Sequence, residues 1–368
     1  MCAKTSDTHS ADDPVTAADD QDATPRLRAL AREVRTALLD VVWRQWQVLD
    51  AGAAAPRASG MGGAGRDPIE RDDLRSMVDP EALVLVSLGL LDEERRLGDL
   101  LHDWASRNSD LLSVQRIRNL LATYPDAPRR SLAAPLTWFA RVARDRAKDA
   151  RWRPLARSVH EAGADADAEP AVRAFGSQDR AAPTRKVRAT RARLLSPSTL
   201  LLRLRLGIGV GIKADVLAFL LARRDRWTTV REATDAIGYS TAPERRALDD
   251  LVAARLVEAG HGQPASYHAT FDTWAPLLGL REPPPAWASW HERFVFSVAF
   301  LAWERTTRGR SLTPYAFGAA GRELLETHRS AFEQDGIAQW SVRTPVEDWG
   351  AFVERSVRRL AERMRAMA

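Results

Sequence analysis

Cysteine is all but missing from this chain: Cys2 is the single one among 368 residues, close to the first. That excludes an internal disulfide framework and any zinc site built on thiolates, and it fits a reducing, cytoplasmic setting. Long apolar runs are also lacking. The two most apolar stretches, LVLVSLGLL at 83–91 and FVFSVAFLAW at 294–303, are shorter than the roughly 20 residues a membrane span needs, so both are expected as buried helices with no membrane partner. Residues 1–25 hold six Asp against one Lys and no apolar core, so no signal peptide is expected there. Lysine is scarce, four against fifty arginines. A GC-rich genome produces such a bias by itself, so only the placement of arginines carries weight. Catalytic signatures are lacking too: there is no Gly-x-Ser-x-Gly elbow and no His-Glu-x-x-His, and the chain is not expected to be an enzyme.

The 45% of hydrophobic residues and the length suffice for two or three domains with cores of their own. Residues 1–23 form an acidic, aromatic-free tail that cannot bury enough surface to order itself. From 24 to 159 a helical N-terminal domain is expected. It starts at Thr24-Pro25, a cap followed by proline, and continues with Leu27, Leu30, Val34, Leu38 and Val41 at helical spacing. A Gly- and Ala-rich flexible loop at 51–68 follows. Asp79-Pro80 starts helix again, to about Arg107 with a break near Gly89 or Asp92. Two further helices are expected, Ser113 to about Ala122 and about Ala134 to Arg151. Residues 160–184 read as a linker. After Pro283-Pro284-Pro285, a C-terminal helical domain over 286–368 is expected, with helices through Trp290 to Leu301, from Thr313-Pro314, and from Thr344-Pro345 with a Thr344/Glu347 capping box. The twelve tryptophans fall mostly at helix-periodic positions and are expected in the core; Trp287 and Trp290 could instead line a contact surface.

The most informative segment runs from Gly211 to Ala269. A helix with Val216, Leu217, Phe219 and Leu220 comes first, then a β-like run at Trp227-Thr228. A second helix carries Val230, Ala233 and Ile237, and a turn follows at Gly238-Tyr239-Ser240. The third helix opens with Thr241, Pro243 and Glu244, the pattern of a capping box, and turns Leu248, Leu251 and Val252 inward. Val257, Gly260-His261-Gly262 and Ser266-Tyr267-His268 read as two short strands and a turn. This order resembles the winged helix-turn-helix domain of MarR-like and ArsR-like bacterial transcriptional regulators, over about sixty residues. The expected fold class is mainly α: helical N- and C-terminal regions around a central winged helix-turn-helix with a small β-wing, the basic arm and that domain covering 185–280.

The resemblance implies binding to double-stranded DNA, with the third helix in the major groove and the flanking helices making a homodimer. Ser240, Thr241, Ala242, Arg245 and Arg246 would then approach bases and phosphates, and His261 and Gln263 would do so from the wing. Asp249 and Asp250 stand four residues beyond the two arginines and could pair with them. Between Ile212 and Ala269 eight basic residues face eight acidic ones, so the module itself is neutral. Phosphate attraction is expected from the segment before it: from Arg180 to Arg205 there are eight basic residues and no acidic one, with Arg185, Lys186, Arg188, Arg191 and Arg193 at its centre. The second candidate is a non-catalytic adaptor or antitoxin-like component whose winged helix binds a protein partner. No cofactor and no metal is expected. Gly207, Gly209 and Gly211 lack the spacing of a nucleotide loop, and His261 and His268 have no further ligands nearby.

Overall fold

The computed structural model describes residues 22–49, 74–146, 148–155, 194–224, 226–333, 336–337 and 348–368. The described chain is mainly helical with one small antiparallel sheet. The basic arm, residues 1–21 of the tail, the loop at 51–68, the linker and the Thr344/Glu347 pair lie outside these residues.

Helices α1 (Thr24–Val48), α2 (Pro80–Gly89), α3 (Arg96–Asn108), α4 (Val114–Ala122) and α5 (Asp126–Arg146) come first. The Asp79 carboxylate caps α2 by accepting from the Ala82 amide, with Pro80 in the first turn. Ser113 caps α4 in the same way through Arg116 N–H. At α1 the expected cap differs: Thr24 is already helical, and its hydroxyl donates to Asp22 and to the Arg310 carbonyl instead. Helix α5 begins at Asp126, earlier than the apolar pattern indicates, and carries Pro135 within it. Next come α6 (Leu200–Ile208), α7 (Ile212–Ala222), β1 (Thr228–Thr229), α8 (Val230–Ile237), α9 (Thr241–Ala253), β2 (Glu258–Ala259), β3 (Ser266–His268) and α10 (Phe271–Leu278). Then follow α11 (Trp290–Thr306), α12 (Pro314–Thr327), α13 (Ser330–Glu333) and α14 (Trp349–Met367), the last capped by Asp348.

Two apolar cores organise these elements. The larger joins α1 to α5 with α11 to α14, so helices from both ends of the chain share one interior. Helix α2 explains this: its residues from Pro80 to Leu88 are all buried, an element without a solvent face that neighbours must cover on every side. α11, its counterpart, lies against α1, α2 and α5. Gly321 lets α12 and α14 approach, since a β-carbon there would stand 2.7 Å from Val353. No helix among the described residues is long and apolar enough to cross a membrane.

The smaller core centres on α7, whose residues from Ala214 to Ala222 are all buried beneath α6, α8 and α9. Its sheet has the order β1-β3-β2, with Thr228 opposite Tyr267 and Glu258 opposite His268. Gly209 and Gly211, both at positive φ, close α6 and open α7. Gly209 and Gly211 are therefore the turn between two helices, while Gly207 lies in the last turn of α6.

Candidate nucleic-acid interface

Helix α9 divides cleanly by face. Glu244, Ala247, Leu248 and Leu251 are buried, the i, i+3, i+4, i+7 stripe of a packed helix. Ser240, Thr241, Ala242, Arg245, Arg246, Asp249 and Asp250 are exposed. The expected pairing of the two arginines with Asp249 and Asp250 is not what the side chains do. Asp249 accepts from Tyr267 Oη at 3.0 Å, and Asp250 is held by Lys213 Nζ at 2.8 Å. Arg245 and Arg246 have no ion-pair partner among the described residues, which leaves two guanidinium groups on the outer face free for an external anion.

The Tyr267 contact also fixes the sheet to α9, because β3 lies between its two neighbours and touches the helix directly. His261 and Gln263 are exposed in the connection from β2 to β3. His268, by contrast, is buried beside Trp227, ring centroids 5.2 Å apart, with Nδ1 3.7 Å from Glu258. The two histidines thus differ in exposure, and no group of three metal-ligating side chains occurs among the described residues. Arg185, Lys186, Arg188, Arg191 and Arg193 lie outside the described residues.

The capping expected of Thr241 and Glu244 is not formed. Ser240 is the N-cap residue without a side-chain bond, and Glu244 points into the interior. A reciprocal capping box is present one helix earlier, where Thr229 and Glu232 close the start of α8. Gly238 ends α8 at φ +85°, and a β-carbon there would lie 2.7 Å from Leu120 of α4. The turn before α9 is therefore pressed against the helical bundle.

Side chains of the bundle grip that turn. Arg116 Nε donates to the Ile237 carbonyl at 2.7 Å, Asn119 Nδ2 to the Gly238 carbonyl at 3.0 Å, and Trp287 Nε1 to the Ala236 carbonyl at 3.2 Å. Tyr239 Oη bonds Ser113 Oγ and Asp215 Oδ2, both at 3.0 Å. Trp287 also packs edge-on against Phe219, and Trp290 is fully buried against Phe294. Trp287, with the Arg116 guanidinium 6.0 Å from its ring centroid, links module to bundle, whereas Trp290 belongs to the bundle core.

Behind the turn is an ionic cluster that no sequence motif announces. Arg116 reaches Asp79 through two bonds, at 2.5 and 2.6 Å, and Glu81 at 2.7 Å. Arg205 holds Asp215 through two bonds of 2.7 Å, meets Glu81 at 2.5 and 3.1 Å, and donates to the Leu111 carbonyl. All five side chains are buried. Burial opposes the charge of both guanidiniums, but the facing carboxylates hold their pKa values well above the usual range. Burial alone would raise the Asp79 carboxyl, and Arg116 outweighs it, holding Asp79 below its ordinary value. Such a cluster is tolerated because nearly every donor is matched. Its signal in the sequence is charge inside apolar runs: Arg205 in LLLRLRL, and Asp215 in IKADVLAFLLA.

Comparison with models of known protein families, with curated proteins and with solved structures finds no match. The functional reading rests on the geometry above.

Proposed function

We propose that residues 211–269 form a winged helix-turn-helix and that the chain is a DNA-binding transcriptional regulator. The observation that carries this reading is the outward face of α9: small polar residues Ser240 and Thr241 with Ala242, then Arg245 and Arg246 without ion-pair partners, on a helix whose opposite face is packed. A guanidinium fork pairs with the two acceptors of a guanine edge, and short side chains at a helix start allow close approach to the groove. The exposed connection with His261 and Gln263 is assigned as the wing, contacting phosphates beside α9.

The module is charge-neutral, so most non-specific affinity is assigned to the arm of Arg185, Lys186, Arg188, Arg191 and Arg193, and to a second copy of the chain in a homodimer. The reading as a protein-binding adaptor draws on a different observation, the exposure of Leu206 and Ile208 on α6, just before the module, and of Trp227 within it. Selection of bound duplexes from a random-sequence pool by the full chain separates the two. A regulator enriches a defined sequence, with two half-sites if it acts as a dimer. A pool that stays random after repeated rounds contradicts the reading.

A further inference from the structure

Glu244 is the one acidic side chain of α9 on its buried stripe, three and four residues before Ala247 and Leu248. It is fully buried, and neither carboxyl oxygen has a hydrogen-bond partner. Its charged neighbours are of the wrong sign. From α7 the charge of Asp215, already engaged by Arg205 and Tyr239, acts on it; from α8 so does that of Asp235, whose ion-pair partner Arg231 stands 3.8 Å from Asp235 on the solvent side. The other charge on α7's first turn, Lys213, is occupied with Asp250. The Thr234 hydroxyl of α8 faces Glu244 and offsets some of the repulsion without closing a hydrogen bond. Arg245 and Arg246, next in sequence, point away to solvent.

An ionised carboxylate in that position would have no counter-ion and only the Thr234 hydroxyl beside it, too little to offset the cost of a buried charge. We propose that Glu244 is a proton-operated latch: packed in its neutral form it seats the first turn of α9 on α7 and α8, and loss of its proton to solvent in mildly alkaline conditions unseats it. Burial first, then Asp215 and Asp235, push its pKa up to about 8 against the relief from Thr234. The sign follows. A carboxyl whose folded pKa lies above its unfolded one stabilises the fold fully below the unfolded value, and that contribution is lost as pH rises through the folded value. The latch is thus closed near neutrality and opens above it. Since Arg245 and Arg246 extend from the same turn, whatever they contact is released with it. The device stands on the packing of α9 and does not depend on what that helix binds.

The test compares the full chain with its Glu244→Gln variant, in which the same shape is permanently neutral. Urea unfolding from about pH 5.5 to about pH 8.5 should show the folded-to-unfolded ratio of the wild type falling ~10-fold more per pH unit than that of the variant, the effect of one additional proton. Other titrating groups, including Glu292, whose carboxyl burial pushes up to about 7, act equally in both proteins and cancel. Amide hydrogen exchange gives a second reading: protection at Ala247, Leu248 and Leu251 of the wild type should fall with pH beyond the base-catalysed trend, and by more than in the variant. Equal pH slopes for the two proteins would overturn the proposal. If Glu244→Gln does not fold, unchanged protection of α9 in the wild type across the same range would overturn it.

Discussion

Arg116 donates to two carboxylates and one backbone carbonyl without any exposure to water. Its replacement by methionine keeps much of the volume but removes the ion pair of Asp79 and leaves Glu81 with Arg205 and the Ser113 amide. Removing one member of a buried ionic group costs about 3–5 kcal/mol, and Arg116→Met is expected to lose that much in urea unfolding; a loss below about 1 kcal/mol would show the cluster to be idle. Gly238 is the second sensitive residue. Its positive φ and the 2.7 Å approach of Leu120 to a β-carbon make Gly238→Ala cost about 1–3 kcal/mol in backbone strain, read as a lower thermal midpoint. At this scale the sequence speaks clearly about glycine, since a turn between two helices requires it. It is silent on Arg116, because nothing in the local pattern tells a solvated arginine from one folded onto distant carboxylates; Asp79 and Glu81 are more than thirty residues away.

Among elements, α9 decides most. Its packed stripe includes Glu244, so the first-turn pattern Thr-x-x-Glu is a false cap; the identical pattern at Thr229 and Glu232 is a true one. The difference is visible in the sequence, because Glu244 sits at apolar spacing with Ala247, Leu248 and Leu251 whereas Glu232 does not share the Val230, Ala233, Ile237 face. Helices α2, α4, α8 and α11 are legible from caps and periodicity. The first turns of α5 are not, because Pro135 resembles a helix start and hides the residues before it. Helices α6 and α10 carry no legible pattern: the first is an apolar run broken by arginines, and the second contains Pro276. The prediction for α9 concerns its outer side. Arg245→Ala and Arg246→Ala should each weaken binding to a selected duplex by about 1–3 kcal/mol if the side chain reads a base edge, with circular dichroism unchanged because both side chains are exposed.

For the whole molecule, the bundle and the module are joined by the Asp79, Glu81, Arg116, Arg205 and Asp215 cluster, by Tyr239 and by Trp287, all across one boundary. A junction so fully bonded predicts one cooperative transition, with calorimetric and van't Hoff enthalpies equal; two resolved heat peaks would show that the module unfolds alone. That the two ends of the chain share a core is hidden in the sequence, because helices buried on every side, such as α2 and α11, carry no mark of which neighbour covers them. The same junction bears on function, since a turn clamped to the bundle presents α9 at a fixed angle to whatever it meets. The most direct test of the central claim is the affinity of the full chain for its selected duplex, measured by fluorescence anisotropy from about 50 to about 300 mM salt. Affinity should weaken steeply with salt, and the Arg245→Ala/Arg246→Ala double variant should bind at least ~10-fold more weakly at every salt concentration. No binding at the lowest salt, or a double variant indistinguishable from the wild type, would contradict it.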